Sequence, residues 1–414
     1  MTMAGACSRG GQGLRIGLVA VVLLGGQAAR AQPAAPGEAG GIATGATAAE
    51  RPDPRIHARV RTMLSQQAVA SRRLAATQIA HVRTRFPGVH DERAGCRRGL
   101  SAAAPAVVAP SLAQEADGAP RLEAPAPAPV SLPITHCERE IGATVWRAGS
   151  MEVGARQPGS RDEVFGFHSR GLTFGSERQV ADGLTLGAGL GIAREQAEAA
   201  ADGTSNTAEA LSGLLYLSYR PSSGLFVDAL AGHAALGMRS ARPLGDRGTL
   251  AAGRGGSEWF TVLAAGFRTD VSGIDVAPYT RFEAVRATLH RATESAGGAE
   301  ALQFDRQALP SWKLALGIEG ASRIETAFGV LRPRASLEAR QELEAAGSAA
   351  VTSAEGTAVY AFENQGAPRQ SVLLGLGATL SLPDRWSLSA GYSLDHSHQA
   401  RFRRVDVMVS RHLP

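Results

Sequence analysis

The chain has 414 residues, of which 44% are hydrophobic and 5% aromatic, and its mean hydropathy is −0.07. This average is too polar for a bundle of membrane helices and excludes that class. The formal net charge is +5 and the pI is about 9.5, and Lys313 is the only lysine. GC-rich codon usage explains the arginine excess, and contact with anionic lipid or polysaccharide at a cell surface is the alternative.

Residues 1–31 have the features of a secretory signal peptide. Two arginines precede the apolar stretch Ile16–Leu24, and the small residues Ala29 and Ala31 fit a cleavage site between Ala31 and Gln32. The apolar stretch is too short to cross a bilayer as a helix. We therefore predict an exported chain, and no later stretch is long and apolar enough to be a helical anchor.

Residues 32–143 are predicted to form a short passenger and linker region. The stretch Gln32–Asp53 is rich in Ala, Gly and Pro and is expected to be disordered. An amphipathic helix is predicted over residues 55–86, and Pro87-Gly88 is expected to end it. The alanine- and proline-rich residues 101–133 are interpreted as a disordered, semi-extended linker.

The predicted helix carries apolar residues at helical spacing, with arginines on the remaining surface. The pattern leaves three positions open. The helix packs in the periplasm, fills the lumen of a barrel, or lies on a membrane surface. We favour packing or plugging over surface binding. The apolar residues are Ile56, Val60, Met63, Leu64, Leu74, Ile79, Val82 and Phe86.

Two cysteines, Cys96 and Cys137, follow the predicted helix. In an oxidising periplasm we predict that they pair as a disulfide, with two free thiols as the alternative. Zinc binding is disfavoured, because His136 is the only further ligand type beside them.

From residue 144 to residue 414 the chain alternates between apolar and small or polar residues. Runs of about ten such residues suit strands that cross a bilayer at a tilt. The predicted fold is therefore all-β: a twelve-stranded antiparallel transmembrane β-barrel, preceded by the amphipathic helix and the disordered linker. The predicted strands cover residues 144–156, 163–178, 184–194, 210–220, 225–236, 259–269, 274–289, 312–324, 329–340, 372–382, 386–395 and 401–412.

The joints between these runs alternate in length. Short joints such as Ala181-Asp182-Gly183 and Pro383-Asp384-Arg385 alternate with long ones. Bacterial outer-membrane barrels have short periplasmic turns and longer outer loops, so the alternation favours that class over a soluble β-sandwich. The long joints are predicted at residues 195–209, 239–258, 292–310 and 341–369.

Several strands carry charges on the face opposite their apolar residues. Because charges are costly in lipid, this face is predicted to line the lumen. The charges form an ion-pair network, or alternatively a polar track for a passing or plugging segment. The predicted lumen residues are Lys313, Glu319, Arg332, Arg334, Glu338 and Arg340, and we include Arg281 and Glu283.

Four tryptophans lie near predicted strand ends: Trp146, Trp259, Trp312 and Trp386. Tryptophans at that height often form an aromatic belt at the membrane interface, so we predict part of such a belt.

Several short motifs stand in a characteristic order and spacing from residue 144 to the end. They are Val145-Trp146-Arg147, Gly189–Ile192, Ser218-Tyr219-Arg220-Pro221, Leu225-Phe226-Val227-Asp228, Pro278-Tyr279, Leu331-Arg332-Pro333-Arg334 and Leu373-Gly375-Leu376-Gly377. As an ordered set they resemble the autotransporter β-barrel domain. The resemblance implies a monomeric, twelve-stranded outer-membrane barrel with a helix or linker retained in its pore. It also implies that the N-terminal passenger crosses to the outside, and that the outer-membrane insertion machinery assembles the barrel.

The final strand departs from this family pattern. Barrels of the family usually end in an aromatic residue that the insertion machinery recognises, whereas this chain ends in Leu413 and Pro414. The expected C-terminal insertion signal is the alternating set Val405, Val407, Val409 and Leu413. The passenger region is also short and lacks the repeats of a β-helix.

The sequence predicts an autotransporter-type barrel that inserts in the outer membrane and translocates or displays its N-terminal segment and outer loops. The alternatives are an adhesin acting through the long outer loops, and a plugged porin-like channel. The expected partners are outer-membrane lipid, lipopolysaccharide and the insertion machinery, with no nucleic acid. G-x-S-x-G, H-E-x-x-H and P-loop motifs are missing, so we expect no enzyme, cofactor or metal site.

Overall fold

The structure is a computed structural model that describes residues 54–91, 142–157, 164–221, 224–295, 300–344, 347–353, 359–364 and 368–413. The signal-peptide cleavage site at Ala31 and Gln32, the linker at residues 101–133, and both Cys96 and Cys137 lie outside the described residues. The predictions for them stay predictions.

Twelve antiparallel strands close into a barrel, which confirms the predicted fold class. The first strand pairs with the last along its whole length, from Ala143 against Leu413 to Arg156 against Ala400. A closed barrel leaves no unpaired sheet edge to face lipid. The strands are β1 Ala143–Arg156, β2 Phe165–Ala181, β3 Leu184–Ala199, β4 Ser205–Tyr219, β5 Leu225–Pro243, β6 Thr249–Phe267, β7 Ile274–Leu289, β8 Gln307–Ser322, β9 Gly329–Glu344, β10 Gln370–Ser381, β11 Trp386–His396 and β12 Ala400–Leu413.

The outward face of the barrel is apolar over its middle. On β3, Leu186, Leu190 and Ile192 are 43%, 67% and 54% exposed, while the alternating Thr185 and Ala193 point inward and are buried. Large exposed aliphatic side chains on strand after strand are unfavourable in water. The hydrocarbon core of a bilayer accommodates them, as in other membrane barrels.

Two of the predicted long joints are largely strand. Strand β3 continues to Ala199 and β4 begins at Ser205. Strands β5 and β6 are separated only by a turn that contains the 3₁₀ segment Gly245–Arg247. The prediction of long loops at 195–209 and 239–258 is therefore wrong. The ladder continues beyond the apolar belt, where outward side chains face water and the apolar alternation that marks a strand is lost.

The short joints form tight turns at the other end of the barrel. Gly183 and Gly273 have φ values of 75° and 83°, a left-handed conformation that glycine adopts without strain. Two short strands, Thr269–Val271 and Ile324–Thr326, pair with β7 and β9 next to these turns. We call this the short-turn end, and the opposite one the long-joint end.

A single described helix, α1, covers Pro54–Asp91 and lies in the lumen. Its middle is buried on all sides, including polar residues such as Gln66, Ser71 and Gln78. The predicted stop at Pro87-Gly88 is wrong, because Pro87 lies inside the helix, which continues to Asp91. Proline has no N–H to bond to the carbonyl four residues earlier, so the helix continues past Pro87 with one hydrogen bond fewer.

The two ends of α1 contact opposite ends of the barrel. Near its start, Arg59 Nη1 donates to the carbonyl of Pro243, at the end of β5, over 2.6 Å. Near its finish, Phe86 packs against Tyr216 on β4, with ring centroids 5.9 Å apart. The helix therefore begins at the long-joint end and finishes toward the short-turn end, where β1 also begins.

A separate small sheet lies at the long-joint end. Its strands, in spatial order, are Val359–Asn364, Gly347–Ser353, Leu302–Phe304 and Ala292–Thr293. We call it the loop sheet. The predicted long joints at 292–310 and 341–369 supply these strands, so their described parts are paired rather than irregular.

Candidate functional site in the lumen

The helix lies off-centre in the barrel. It packs against β2, β3, β4 and β5, which we call the near wall. Its apolar side chains Leu74, Ile79, Val82 and Phe86 share a buried cluster with Leu214 of β4. Strands β8–β11, the far wall, contribute much less to packing on α1.

Two inward glycines on the near wall allow the close approach of the helix. A Cβ atom on Gly191 of β3 would collide with the side chain of Gln78, and one on Gly171 of β2 would collide with Thr77. Thr173 lies between these points and donates through Oγ1 to Gln78 Oε1 over 2.6 Å. The near wall thus has a shallow slot that fits the helix.

His81 bonds to two barrel hydroxyls. Its Nδ1 lies 2.6 Å from Thr173 Oγ1, and its Nε2 lies 2.8 Å from Ser150 Oγ on β1. The ring is fully buried, so these hydroxyls replace the water that the imidazole loses on burial.

Arg73 ties the middle of the helix to the barrel. Its guanidinium lies 2.5 Å from Glu152 on β1 and 2.5 Å from Glu195 on β3. It also stacks 3.4 Å from the ring centroid of Phe167. Arg404 on β12 lies 2.5 Å from Glu152 and completes the network. Buried charges need such partners, because an unpaired one is strongly destabilising.

Arg85 makes the equivalent contact nearer the short-turn end. Its Nη2 lies 2.5 Å from Glu177 on β2, and Tyr216 Oη donates to the same carboxylate over 2.7 Å. Trp146 Nε1 in turn donates to Tyr216 Oη over 2.7 Å. Trp146 is thus buried and faces the lumen, so its assignment to an aromatic belt is wrong; its strand parity, opposite to Val145 and Arg147, explains this.

The far wall holds a second charge cluster, centred on Glu338 of β9. Arg281 lies 2.5 Å from it, Arg83 of the helix lies 3.1 Å from it, and Arg340 pairs with it as well. Tyr279 Oη also donates to this carboxylate over 2.9 Å. Three of the sequence-predicted residues, Arg281, Glu338 and Arg340, therefore meet at one point and reach the helix through Arg83.

Lys313 lies beside this cluster, between two carboxylates. Its Nζ is 3.7 Å from Glu283 and 3.9 Å from Glu342, and Glu283 also pairs with Arg281. Glu319 and Arg334 line the adjacent cavity, and Arg332 alternates in phase with Arg334 on β9.

A cavity of about 330 Å³ lies beside the helix, bordered by the far wall and, at one end, by Phe226 and Asp228 of β5. Arg72, Arg83 and Thr84 line it from the helix side, and Arg340 and Asp395 line it from the barrel side. It can hold water and small ions beside the helix, because its lining is charged and large enough for several water molecules.

The loop sheet covers the beginning of α1. Val60, Met63 and Leu64 of the helix form a buried cluster with apolar side chains of this sheet, including Phe304 and Val351. Burying each large side chain stabilises the contact by roughly 1.5–3 kcal/mol.

Buried arginines fasten the loop sheet to the barrel. Arg242 makes a two-point contact with Glu294, over 2.6 and 3.0 Å. Arg254 Nη1 donates to Gln67 Oε1 of the helix over 2.9 Å and to Gln307 Oε1 over 3.1 Å. The long-joint end is therefore closed around the helix by both apolar and ionic contacts.

Sequence reasoning missed the carboxylates Glu152 on β1, Glu177 on β2 and Glu195 on β3, and their helix partners. A usable signal existed, because each carboxylate lies on the inward parity of its strand. The helix arginines that they bind lie among the arginines of the predicted amphipathic surface.

The last strand presents its valines outward. Val405 and Val407 are 50% and 52% exposed, Val409 has the same parity, and Leu413 pairs with Ala143 at the seam. These residues of the expected insertion signal thus lie where β12 closes the barrel.

Within the described parts of the chain, no group of three or more His, Cys, Asp or Glu residues has the arrangement of a metal site. Among the same residues, no helix combines the length and apolar character needed to cross a membrane.

A closed twelve-stranded barrel with an apolar outward face defines the class of outer-membrane β-barrels. The family model of the autotransporter β-domain matches residues 146–393. The chain belongs to the autotransporter β-domain family, and it is an outer-membrane barrel. A search of curated proteins finds no match to the chain.

Solved structures with a similar fold include autotransporter domains. The translocator domain of NalP from Neisseria meningitidis matches with a TM-score of 0.55 and 14% identity, over 66% of this chain and 90% of that one. The β-domain of the Bordetella autotransporter BrkA matches with a TM-score of 0.49 and 18% identity, over 65% and 98% of the two chains. At these identities the similarity concerns the fold.

Proposed function

We propose that the protein is an outer-membrane translocator that retains α1 in its lumen with the N-terminal segment directed to the cell surface. The direction of α1 carries this proposal. The helix begins at the long-joint end, beside Pro243 and the loop sheet, and finishes toward the end where β1 begins. Short turns of such barrels face the periplasm, so residues before Pro54 leave the lumen on the outer side.

The contacts of α1 support retention rather than passage. Arg73 and Arg85 are buried against three barrel carboxylates. The slot at Gly171 and Gly191 on the near wall accommodates the side chains of Thr77 and Gln78. Withdrawing the helix would take the cation from Glu177 and Glu195, while Glu152 would keep Arg404, so the first two pairs favour retention. A non-enzymatic, monomeric protein assembled by the outer-membrane insertion machinery fits this role.

Surface proteolysis of whole cells tests the direction of the N-terminal segment. An epitope placed after Gln32 should be lost when intact cells are treated with protease. A control epitope in the short turn at Asp384 should survive unless the outer membrane is permeabilised. Protection of the first epitope in intact cells, with loss after permeabilisation, would place the N-terminal segment in the periplasm and refute the proposal.

A plugged channel is the second candidate, and the cavity beside α1 favours it. The charged lining of this cavity could carry ions while the helix stays in place. Planar-bilayer recordings of the full chain test this. A small, steady conductance is expected, and a fully sealed membrane with inserted protein would exclude the channel.

An adhesin role for the outer loops stays a prediction. Deleting the loops is a poor test of it, because the deletion also removes contacts to the helix. Deleting residues 345–369 would also remove strands that hold Val351 and Phe362 against the helix. Substitutions of exposed side chains in the loop sheet are therefore the cleaner way to test receptor binding.

A further inference from the structure

The outward face of the barrel changes from apolar to basic toward the long-joint end of β12, β2 and β3. On β12 the outward residues Val407 and Val405 are followed by the exposed arginines Arg403 and Arg401. On β2, Phe174 and Arg170 lie on the same outward face, and Arg170 is four residues nearer the long-joint end. These arginines therefore stand at the upper limit of the apolar belt, the height of lipid headgroups.

Strand register brings the arginines of β12 and β2 to the two sides of β1. Val153 of β1 is paired with Arg403 of β12 on one side and with His168 of β2 on the other. Met151 of β1 is paired with Arg170 of β2. The backbones of β12 and β2 are roughly 10 Å apart, which is two strand spacings. Met151 and Val153, 68% and 51% exposed, form an apolar strip between them.

The two central arginines are not neutralised within the protein. Neither Arg170 nor Arg403 has an ion-pair or hydrogen-bond partner among the residues that the structure describes. Arg401 lies 3.3 Å from His396, which leaves its charge available. Arg194 of β3 differs, because Glu209 lies 3.4 Å away and offsets it.

Arg170, Arg401 and Arg403 lie together on β2 and β12, whereas the exposed outward Arg286 of β7 stands apart from them. At the corresponding height on β8, β9 and β10, the outward residues are Ala308, Gln341 and Gln370, which carry no charge. An interfacial anchor of the whole barrel would distribute its basic residues more evenly around the circumference. The asymmetry instead indicates a localised site for an anionic group.

We propose that Arg170, Arg401 and Arg403, together with the strip formed by Met151 and Val153, bind the phosphorylated headgroup of lipopolysaccharide. Arginine makes paired hydrogen bonds to phosphate oxygens, and two arginines across β1 suit a headgroup with two separated phosphates. The apolar strip and the valines of β12 contact the acyl chains below. This inference rests on the proposed orientation, in which the long-joint end lies in the outer leaflet.

Native mass spectrometry of the folded full chain in detergent micelles tests the site, with bisphosphorylated lipid A as the probe. The double variant R170Q/R403Q should bind lipid A about tenfold more weakly, because it loses two charge-assisted contacts. The control R147Q/R411Q removes two outward arginines near the short-turn end of β1 and β12 and should bind within about twofold of the parent. Electrophoresis of unheated samples checks that each variant is folded, and R170Q and R403Q are measured singly if the double variant is not.

Three outcomes would overturn the proposal. One is equal binding by R170Q/R403Q and the parent chain. Another is equal binding of lipid A that lacks both phosphates, and the third is equal binding of phosphatidylglycerol. Inorganic phosphate at the same concentration should not compete, because the site needs the acyl chains as well.

The micelle experiment does not depend on membrane orientation, so the two proposals fail separately. Phosphate-dependent binding that is lost in R170Q/R403Q supports the site even if the epitope after Gln32 proves periplasmic. A surface-exposed epitope combined with unchanged lipid A binding in R170Q/R403Q refutes the site and leaves the translocator proposal intact.

Discussion

The near and far walls of the lumen have the same kinds of inward residues but use them differently. On the near wall, the side chains of Glu195 and Glu177 are 0% and 3% exposed, because the helix covers them. On the far wall, Lys313 and Asp395 are 28% and 19% exposed, because the cavity lies in front of them. The near-wall ion pairs are therefore covered by the helix, whereas the far wall reaches the helix only through Arg83–Glu338 and otherwise lines a water-accessible space.

Side-chain size accounts for the position of the helix. The near wall offers Gly171, Thr173 and Gly191 where the helix approaches most closely. On the far wall, the long side chain of Arg334 extends over Gly377, with Nε 3.0 Å from where a Cβ would be. Glycine helps the helix to approach only where no long neighbouring side chain occupies the space.

Removing the helix should abolish the difference between the two walls. Of the changes considered, it should have the largest effect on conductance. Deletion of residues 54–91 should raise single-channel conductance several-fold, because the lumen then fills with water. Planar-bilayer recordings measure this, and the heat-dependent electrophoretic shift of barrels controls for folding. Unchanged conductance in a folded deletion variant would show that α1 does not occlude the pore.

A matched pair of glycine substitutions should affect the walls in opposite directions. Gly191→Leu should displace Gln78 and the helix, and so increase the conductance of the full chain. Gly391→Leu should decrease it, because Gly391 lines the cavity and a Cβ there meets only ordinary contacts. Changes of the same sign in both variants would contradict the assignment of the cavity as the residual path.

Single substitutions of two helix arginines compare the two walls most directly, and of the changes considered they alter the protein least. Arg73→Met leaves the fully buried Glu195 without its cation and should lower the free energy of unfolding by ~3–5 kcal/mol. Arg83→Met should cost about 1 kcal/mol or less, because Arg83 is partly exposed and Glu338 keeps Arg281 and Arg340.

Urea titration of vesicle-inserted protein, followed by the fluorescence of the buried Trp146 and the other tryptophans, measures the two losses. Arg73→Lys is the control for charge alone, since it keeps the cation but loses the two-point geometry. Equal losses for Arg73→Met and Arg83→Met would mean that the helix is bound equally to both walls.

The alternation of apolar and polar residues was sufficient to predict the twelve strands. Residues such as Leu374 and Leu376 face lipid, and this requirement imposes a strict period of two on the sequence. Beyond the bilayer, outward side chains no longer need to be apolar. The part of β5 that continues to Pro243 therefore lacks the alternation of apolar and polar residues. The same loss hid the loop sheet.

The residues of the helix alone left its position open between the lumen, the periplasm and a membrane surface. Its polar residues, such as Gln66 and His81, give the helix an amphipathic appearance, but their partners lie inside a barrel formed far along the chain. Trp146 shows the same limit. Its chain position suggests the interface, whereas the parity of β1 and the hydroxyl of Tyr216 determine that it points inward.

The seam between β1 and β12 has a consequence for the order of events during biogenesis. Because the wall is sealed by the first and last strands, the circle is incomplete until Ala400–Leu413 has been synthesised and docked against Ala143–Arg156. A helix of 38 residues, about 57 Å long at 1.5 Å per residue, is too long to enter sideways once that happens. The segment must therefore be enclosed while the wall is still open, or pass lengthwise through it afterwards.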